Sequence, residues 1–159
     1  MNRDVLTILG LCLLAIVAGI VLPRLTHIPA GVSFAVIEKN DQSGSIDERK
    51  NYRIHSVEEL QALWTLVYGN TRPSLPTVDF SKNEVLAIFD GTHSSGGYGV
   101  SVQTVHEVQG NRVVAIERTV PGVSCSVTEN ITSPFVMIQL PKSSLPISRE
   151  ETERTVECP

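Results

Sequence analysis

Val85-Leu86-Ala87-Ile88-Phe89, followed by Asp90-Gly91-Thr92-His93-Ser94-Ser95-Gly96-Gly97-Tyr98-Gly99-Val100, is the stretch whose reading decides the fold. An unbroken apolar run rich in β-branched and aromatic residues predicts a strand buried on both faces. The glycines after it let the backbone turn sharply or approach another group closely, because glycine takes positive φ without steric cost. From Tyr98 onward the sequence reads as a second strand, Gln109-Gly110-Asn111 as a turn, and Arg112 to Val120 as a third strand.

On the N-terminal side, Val78 to Lys82 introduces the apolar strand, and the one clear helix of the soluble part lies just before it. Ser56-Val57-Glu58-Glu59 is a capping box, in which the Ser56 hydroxyl accepts from the Glu59 amide and the Glu59 carboxylate reaches back to the Ser56 amide. Its two acidic residues also suit the positive end of the helix dipole. Val57, Leu60, Leu63, Trp64 and Val67 recur at three- and four-residue intervals and predict an apolar stripe packed on a sheet, with Trp64 in the core. Gly69 ends the helix, and Pro73 and Pro76 prevent its resumption. Val32 to Ile37 and Arg49 to Ile54 read as strands, separated by a Gly/Ser/Asp loop at Asn40 to Ser45.

On the C-terminal side, Pro121 to Asn130 reads as a loop and Phe135 to Leu140 as another apolar strand closed by Pro141. Ser143 to Glu153 is polar, contains Pro146 and has no usable period, and Thr155 to Cys158 reads as a short last strand. The sum is a mainly β (α+β) domain of about seven short strands and one packed helix, arranged as an antiparallel sheet or a partly closed barrel. One domain over residues 32–159 is expected, after a linker at 23–31 and an N-terminal membrane segment at 1–22.

That segment sets the expected compartment. Val5 to Leu22 is 18 residues without a charge, spanning ~27 Å as a helix, enough to cross a bilayer as a single-pass anchor. A cleaved signal peptide is the competing reading, but Ile28-Pro29-Ala30 makes a poor cleavage site. Arg3 and Arg24 flank the span on opposite sides, so the positive-inside rule hardly orients it. Cysteine breaks the tie. Cys125 and Cys158 are an even pair in the soluble part, which suits a disulfide in an oxidising compartment, with two unpaired thiols as the alternative. If paired, they place the domain outside the cytoplasm, at the cell membrane or secreted if the segment is cut.

Composition excludes several classes of function. The chain of 159 residues has 13 basic and 17 acidic side chains, a net charge of −4 and no basic cluster, which speaks against nucleic acid. His27, His55, His93 and His106 are scattered without metal-ligand spacing, and neither a phosphate loop nor a dinucleotide fingerprint occurs, so no metal and no cofactor is expected. Asp90, His93, Ser94 and Ser95 invite a hydrolase reading. Yet a serine triad needs base, carboxylate and nucleophile to converge from separated parts of a fold, and the Gly-x-Ser-x-Gly elbow is absent. The plainer expectation is that Asp90 and the serines satisfy backbone amides in a polar turn while the glycines supply its geometry.

Gly96-Gly97-Tyr98-Gly99-Val100, the upstream Val78-Asp79-Phe80-Ser81-Lys82 and the downstream Thr132-Ser133-Pro134-Phe135 together resemble the C-terminal domain of the bacterial PrcB family, over roughly residues 56–142. Members of that family are named as protease complex subunits. The resemblance implies an accessory, non-catalytic role in a cell-surface protease assembly, with an envelope protein as partner. Exposed loops on a rigid sheet commonly carry function, so Asp90, Gly96, Gly97, Tyr98 and Gly99 are the expected contact residues. A small hydrolase using Asp90, His93 and Ser95, and a module that takes an envelope peptide or polymer along an open sheet edge, are the alternatives.

Overall fold

The computed structural model describes residues 30–69 and 73–158. Eight strands and one helix follow in the order β1 (Ala30–Gly31), β2 (Ala35–Asn40), β3 (Arg49–Ile54), α1 (Val57–Tyr68), β4 (Asn83–Asp90), β5 (Gly99–Val108), β6 (Asn111–Pro121), β7 (Phe135–Pro141) and β8 (Ile147–Val156). They form two four-stranded sheets, β1-β5-β6-β8 and β2-β7-β4-β3. Among the described residues neither sheet closes on itself, so they form a pair of open sheets and not a barrel.

The apolar run of β4 has a direct structural cause. Val85, Ala87 and Phe89 face one core with Leu60, Leu63, Trp64 and Val67 of α1, whereas Leu86 and Ile88 face a second core with Val100, Val102, Val114 and Ile116 of the other sheet. The layers are therefore helix, sheet and sheet, and β4 lies in the middle one. β7 beside it repeats the pattern, with Phe135 and Met137 toward the helix and Val136, Ile138 and Leu140 toward the second sheet. Both strands read as continuous apolar sequence because neither face reaches water.

The helix follows its sequence with two adjustments. Ser56 accepts from the Glu59 amide at 3.2 Å, but the Glu59 carboxylate accepts from the His55 amide at 2.7 Å instead of that of Ser56. Val57, in the first turn, lies at the end of the apolar stripe and remains exposed. Trp64 is core, its indole N–H donating to the Pro73 carbonyl at 2.9 Å. The β5–β6 hairpin turns at Gln109 and Gly110, both with positive φ, which is the twist-matched two-residue turn.

Other expectations change. Strand pairing is antiparallel except at the edge, where β8 runs parallel to β6 over its full length, Arg112 opposite Ile147 through Pro121 opposite Val156. The polar stretch expected to be irregular is thus mostly a ten-residue strand, replacing the short strand expected at Thr155 to Cys158. The strand expected from Val32 to Ile37 begins at Ala35, and Gly31, assigned to a linker, pairs with His106 through β1. Cys125 and Cys158 form a disulfide that ties the loop after β6 to the end of β8. Val5 to Leu22 lies outside the described residues, and among the described ones no helix is long and apolar enough to cross a membrane.

Candidate functional site

Strand parity fixes the chemistry at the end of β4. Asp90 shares its face with Leu86 and Ile88, so its carboxylate points between the sheets, where it is buried. Arg118 shares a face with Val114 and Ile116 on β6 and meets Asp90 Oδ1 from the opposite sheet. Arg49 of β3, paired with Asp90 in register, places its guanidinium 3.2 Å from the same oxygen. His93 Nε2 takes Oδ2 at 2.7 Å. Arg118 also reaches Glu151 of β8 at 3.3 Å, so one cluster, buried at Asp90 and Arg118 and open to solvent at Arg49 and Glu151, joins β3, β4, β6 and β8. Asp90 was expected to satisfy backbone amides in a turn. It is instead the last residue of a strand, its carboxylate held by two guanidiniums and an imidazole, because a buried charge needs ionic partners.

The glycine-rich turn is built on this cluster. The His93 ring stacks on Tyr98 with centroids 3.9 Å apart and planes within 7°. His93 and Thr132 exchange backbone hydrogen bonds at 2.7 and 3.0 Å, the Thr132 hydroxyl donates to the Ser95 carbonyl at 2.7 Å, and the Gly96 amide donates to Thr128 O at 2.9 Å. Two glycines are required by contact. A Cβ on Gly96 would collide with the Thr128 hydroxyl, and Gly97, at φ +89°, would set one 2.9 Å from Pro121. Gly99 opens β5 opposite Thr119 and has ordinary room around it. The turn is therefore a braced loop, and the loop it leans on exposes Val123, Val127 and Ile131 to solvent.

The hydrolase residues are only partly assembled. Asp90 and His93 form a pair, but the Ser95 hydroxyl donates to the Gly96 carbonyl at 3.3 Å, and among the described residues no serine hydroxyl is hydrogen-bonded to His93. His106 lies on β5 opposite Val113, while the bridge partner of His93 is Thr132. Among the described residues no cluster of His, Cys, Asp or Glu could hold a metal ion.

A second ionic cluster at the start of β4 was not anticipated. Glu84 is fully buried, bound by Arg53 at 2.7 and 3.0 Å and by Arg112 at 2.8 Å, and Arg112 continues to Glu107 at 2.6 Å. A signal for both clusters exists in the sequence. Glu84 and Asp90 are six apart, Arg112 and Arg118 are six apart, and even spacing on a strand puts each pair on one face.

Comparison with curated proteins and with solved structures yields no match. Residues 85–141, from β4 through the glycine-rich turn and the β5–β6 hairpin to the end of β7, match the family model described as PrcB C-terminal. That segment omits α1, which the resemblance over residues 56–142 includes, and it holds Asp90, His93, Gly96, Gly97, Tyr98, Gly99 and Arg118, whereas Arg49 and Glu151 of the ionic cluster lie outside it.

Proposed function

We propose that the chain is a non-catalytic accessory module that binds another protein of the cell envelope, with a protease complex as the assembly that the PrcB match suggests. The observation that carries this reading is the turn from Asp90 to Val100. It is locked underneath by Asp90, Arg49 and Arg118, and it leans on loop 122–131, whose Val127 lies against Gly97 and whose Val123 and Ile131 are exposed. A rigid loop flanked by solvated apolar groups is suited to contact a partner, since little ordering entropy remains to be lost on binding. In this reading Val5 to Leu22 anchors the chain in the membrane and the domain faces outward, where the Cys125–Cys158 disulfide is stable.

The test is photo-cross-linking in intact cells from positions 98, 123 and 127, with position 36 on β2 as an exposed control. A discrete envelope-protein adduct from the first three positions and none from the control is the expected result. Adducts equally abundant from all four would sink the assignment of the turn. The Asp90–His93 pair favours one other reading, a hydrolase in which Ser95 rotates toward His93. That reading demands a turnover activity in the parent that His93→Ala and Ser95→Ala both abolish.

A further inference from the structure

The two sheets leave a cleft of about 300 Å³ where their open edges, β3 and β8, face each other. Its floor is apolar, made by Leu86 and Ile88 of β4, Val114 and Ile116 of β6 and Ile147 of β8. Leu86, Ile88, Val114 and Ile116 are buried in the inter-sheet core and Ile147 is partly exposed at this edge, where among the described residues no further strand is added. The two ionic clusters, at Glu84 and at Asp90, close the floor at its ends, because they lie on the same face of β4 as Leu86 and Ile88. Among the described residues, the outer main-chain edges of β3 and β8 have no strand partner.

Charge at the mouth is unbalanced. Glu84 is met by Arg53 and Arg112, Asp90 by Arg49 and Arg118, Glu107 by Arg112 and Glu151 by Arg118. Arg149, on the cleft side of exposed β8, pairs with no carboxylate among the described residues. Its guanidinium donates across the mouth to the Asn51 side-chain oxygen, in the amide orientation that satisfies both groups. An unpaired strand edge, an apolar floor at the period of alternate side chains, and one guanidinium lacking its carboxylate describe a complement: an extended chain with apolar residues and a carboxylate on one face.

We infer that the cleft binds an extended segment of a partner protein, added as a strand along β3, with apolar side chains entering the mouth beside Ile147, next to the buried Ile88 and Ile116, and an acidic side chain paired to Arg149. This surface is separate from the glycine-rich turn and does not depend on the reading of that turn.

The test is methyl-detected NMR of the full-length chain, titrated with acetyl-Val-Thr-Val-Thr-Glu-Thr-Val-amide and with its counterpart bearing Lys for Glu. The glutamate peptide is expected to shift the Ile88, Ile116 and Ile147 methyls and to bind at least tenfold tighter than the lysine peptide. In Arg149→Glu the preference should reverse; the position is solvent-exposed, and unchanged Leu60 and Val67 methyls verify that the variant is folded. Absence of shifts at millimolar peptide, equal affinity for the two peptides, or an unchanged preference in Arg149→Glu would each overturn the proposal. So would shifts produced by decanoate but not by peptide, which would make the cleft a site for a small amphiphile. Cross-linking at the turn without peptide binding here would leave the proposed function standing and remove only this inference.

Discussion

The two ends of β4 carry the same components in different settings. Each has a buried carboxylate, Glu84 or Asp90, an arginine from β3, an arginine from β6 and a neighbouring histidine. At the Glu84 end the arginines are also saturated by main chain: Arg53 donates to the Ser143 and Leu145 carbonyls and Arg112 to that of Pro141 at 2.6 Å. His55 stands off at 3.5 Å and is half-exposed. At the Asp90 end Arg49 is 53% exposed, and His93 is close and carries the stacked Tyr98 of the turn. One end is thus a latch that closes the sandwich, and the other is a foundation that holds up a loop. The difference lies in what surrounds the charges, since the charges themselves are nearly the same.

The comparison is broken most directly at the latch. Glu84→Gln takes the shared buried carboxylate from Arg112 and Arg53, and a loss of about 3–5 kcal/mol in urea-unfolding stability is expected, the usual cost of removing one partner from a buried ion pair. Pairing Glu84→Leu with Arg112→Leu should recover part of that loss, because the fully buried guanidinium goes with the carboxylate, and Arg53, a quarter exposed, keeps the Ser143 and Leu145 carbonyls. A loss below about 1 kcal/mol for Glu84→Gln would mean that the main-chain carbonyls on Arg53 and Arg112, with Glu107, suffice without the buried carboxylate.

The disulfide belongs to the foundation end alone, and removing it sharpens the contrast. Cys125 and Cys158 are 33 residues apart, and the chain-entropy model assigns about 4 kcal/mol to a closure of that length. In a double Cys→Ser variant the β8 terminus and loop 122–131 should lose amide-exchange protection first, while amides of β4 near Glu84 keep theirs. Uniform loss of protection across both ends would show that they do not differ in local stability.

Asp90→Asn should cost less than Glu84→Gln, about 2–3 kcal/mol, because Arg49 is half in solvent and can be rehydrated. Its characteristic effect is expected in the turn: the His93–Tyr98 stack loses its anchor, read as a change in the Tyr98 ring shifts. Equal costs at the two carboxylates would remove the distinction drawn between latch and foundation.

The sequence made the middle of the molecule legible and its rims obscure. The double-sided burial of Val85 to Phe89, the capped helix, the hairpin turn at Gly110 and the Cys125–Cys158 pair rest on local patterns that tertiary context did not override. β8 failed that reading because an exposed edge strand has no apolar face to display. Its conformation comes from parallel pairing with β6, and its charges serve Arg118 and Glu117. The ionic clusters were hidden for a related reason. A charged residue at a strand terminus ordinarily marks the strand's exit to water, and only the matched six-residue spacings on β4 and β6 distinguish Glu84, Asp90, Arg112 and Arg118 as buried partners.

The smallest expected effect lies in the turn that leads into the latch. Asp79 accepts from the Ser81 amide at 3.0 Å and from the Ser81 hydroxyl, and these bonds, the hydroxyl's foremost, hold its carboxyl below the usual carboxylate range. The Lys82 ammonium, 3.6 Å away, acts in the same direction. Because the folded carboxyl gives up its proton more readily than the unfolded one, its contribution is fully present above the unfolded value near 4 and is lost as pH falls through the lower folded value. Asp79→Asn should therefore be slightly less stable than the parent at pH 7 and equal to it once the medium is acid enough to protonate the folded carboxyl. Urea unfolding at neutral pH and down the acid limb gives the comparison. A deficit that stays constant with pH would show that the substituted amide lacks a hydrogen-bond geometry rather than a charge.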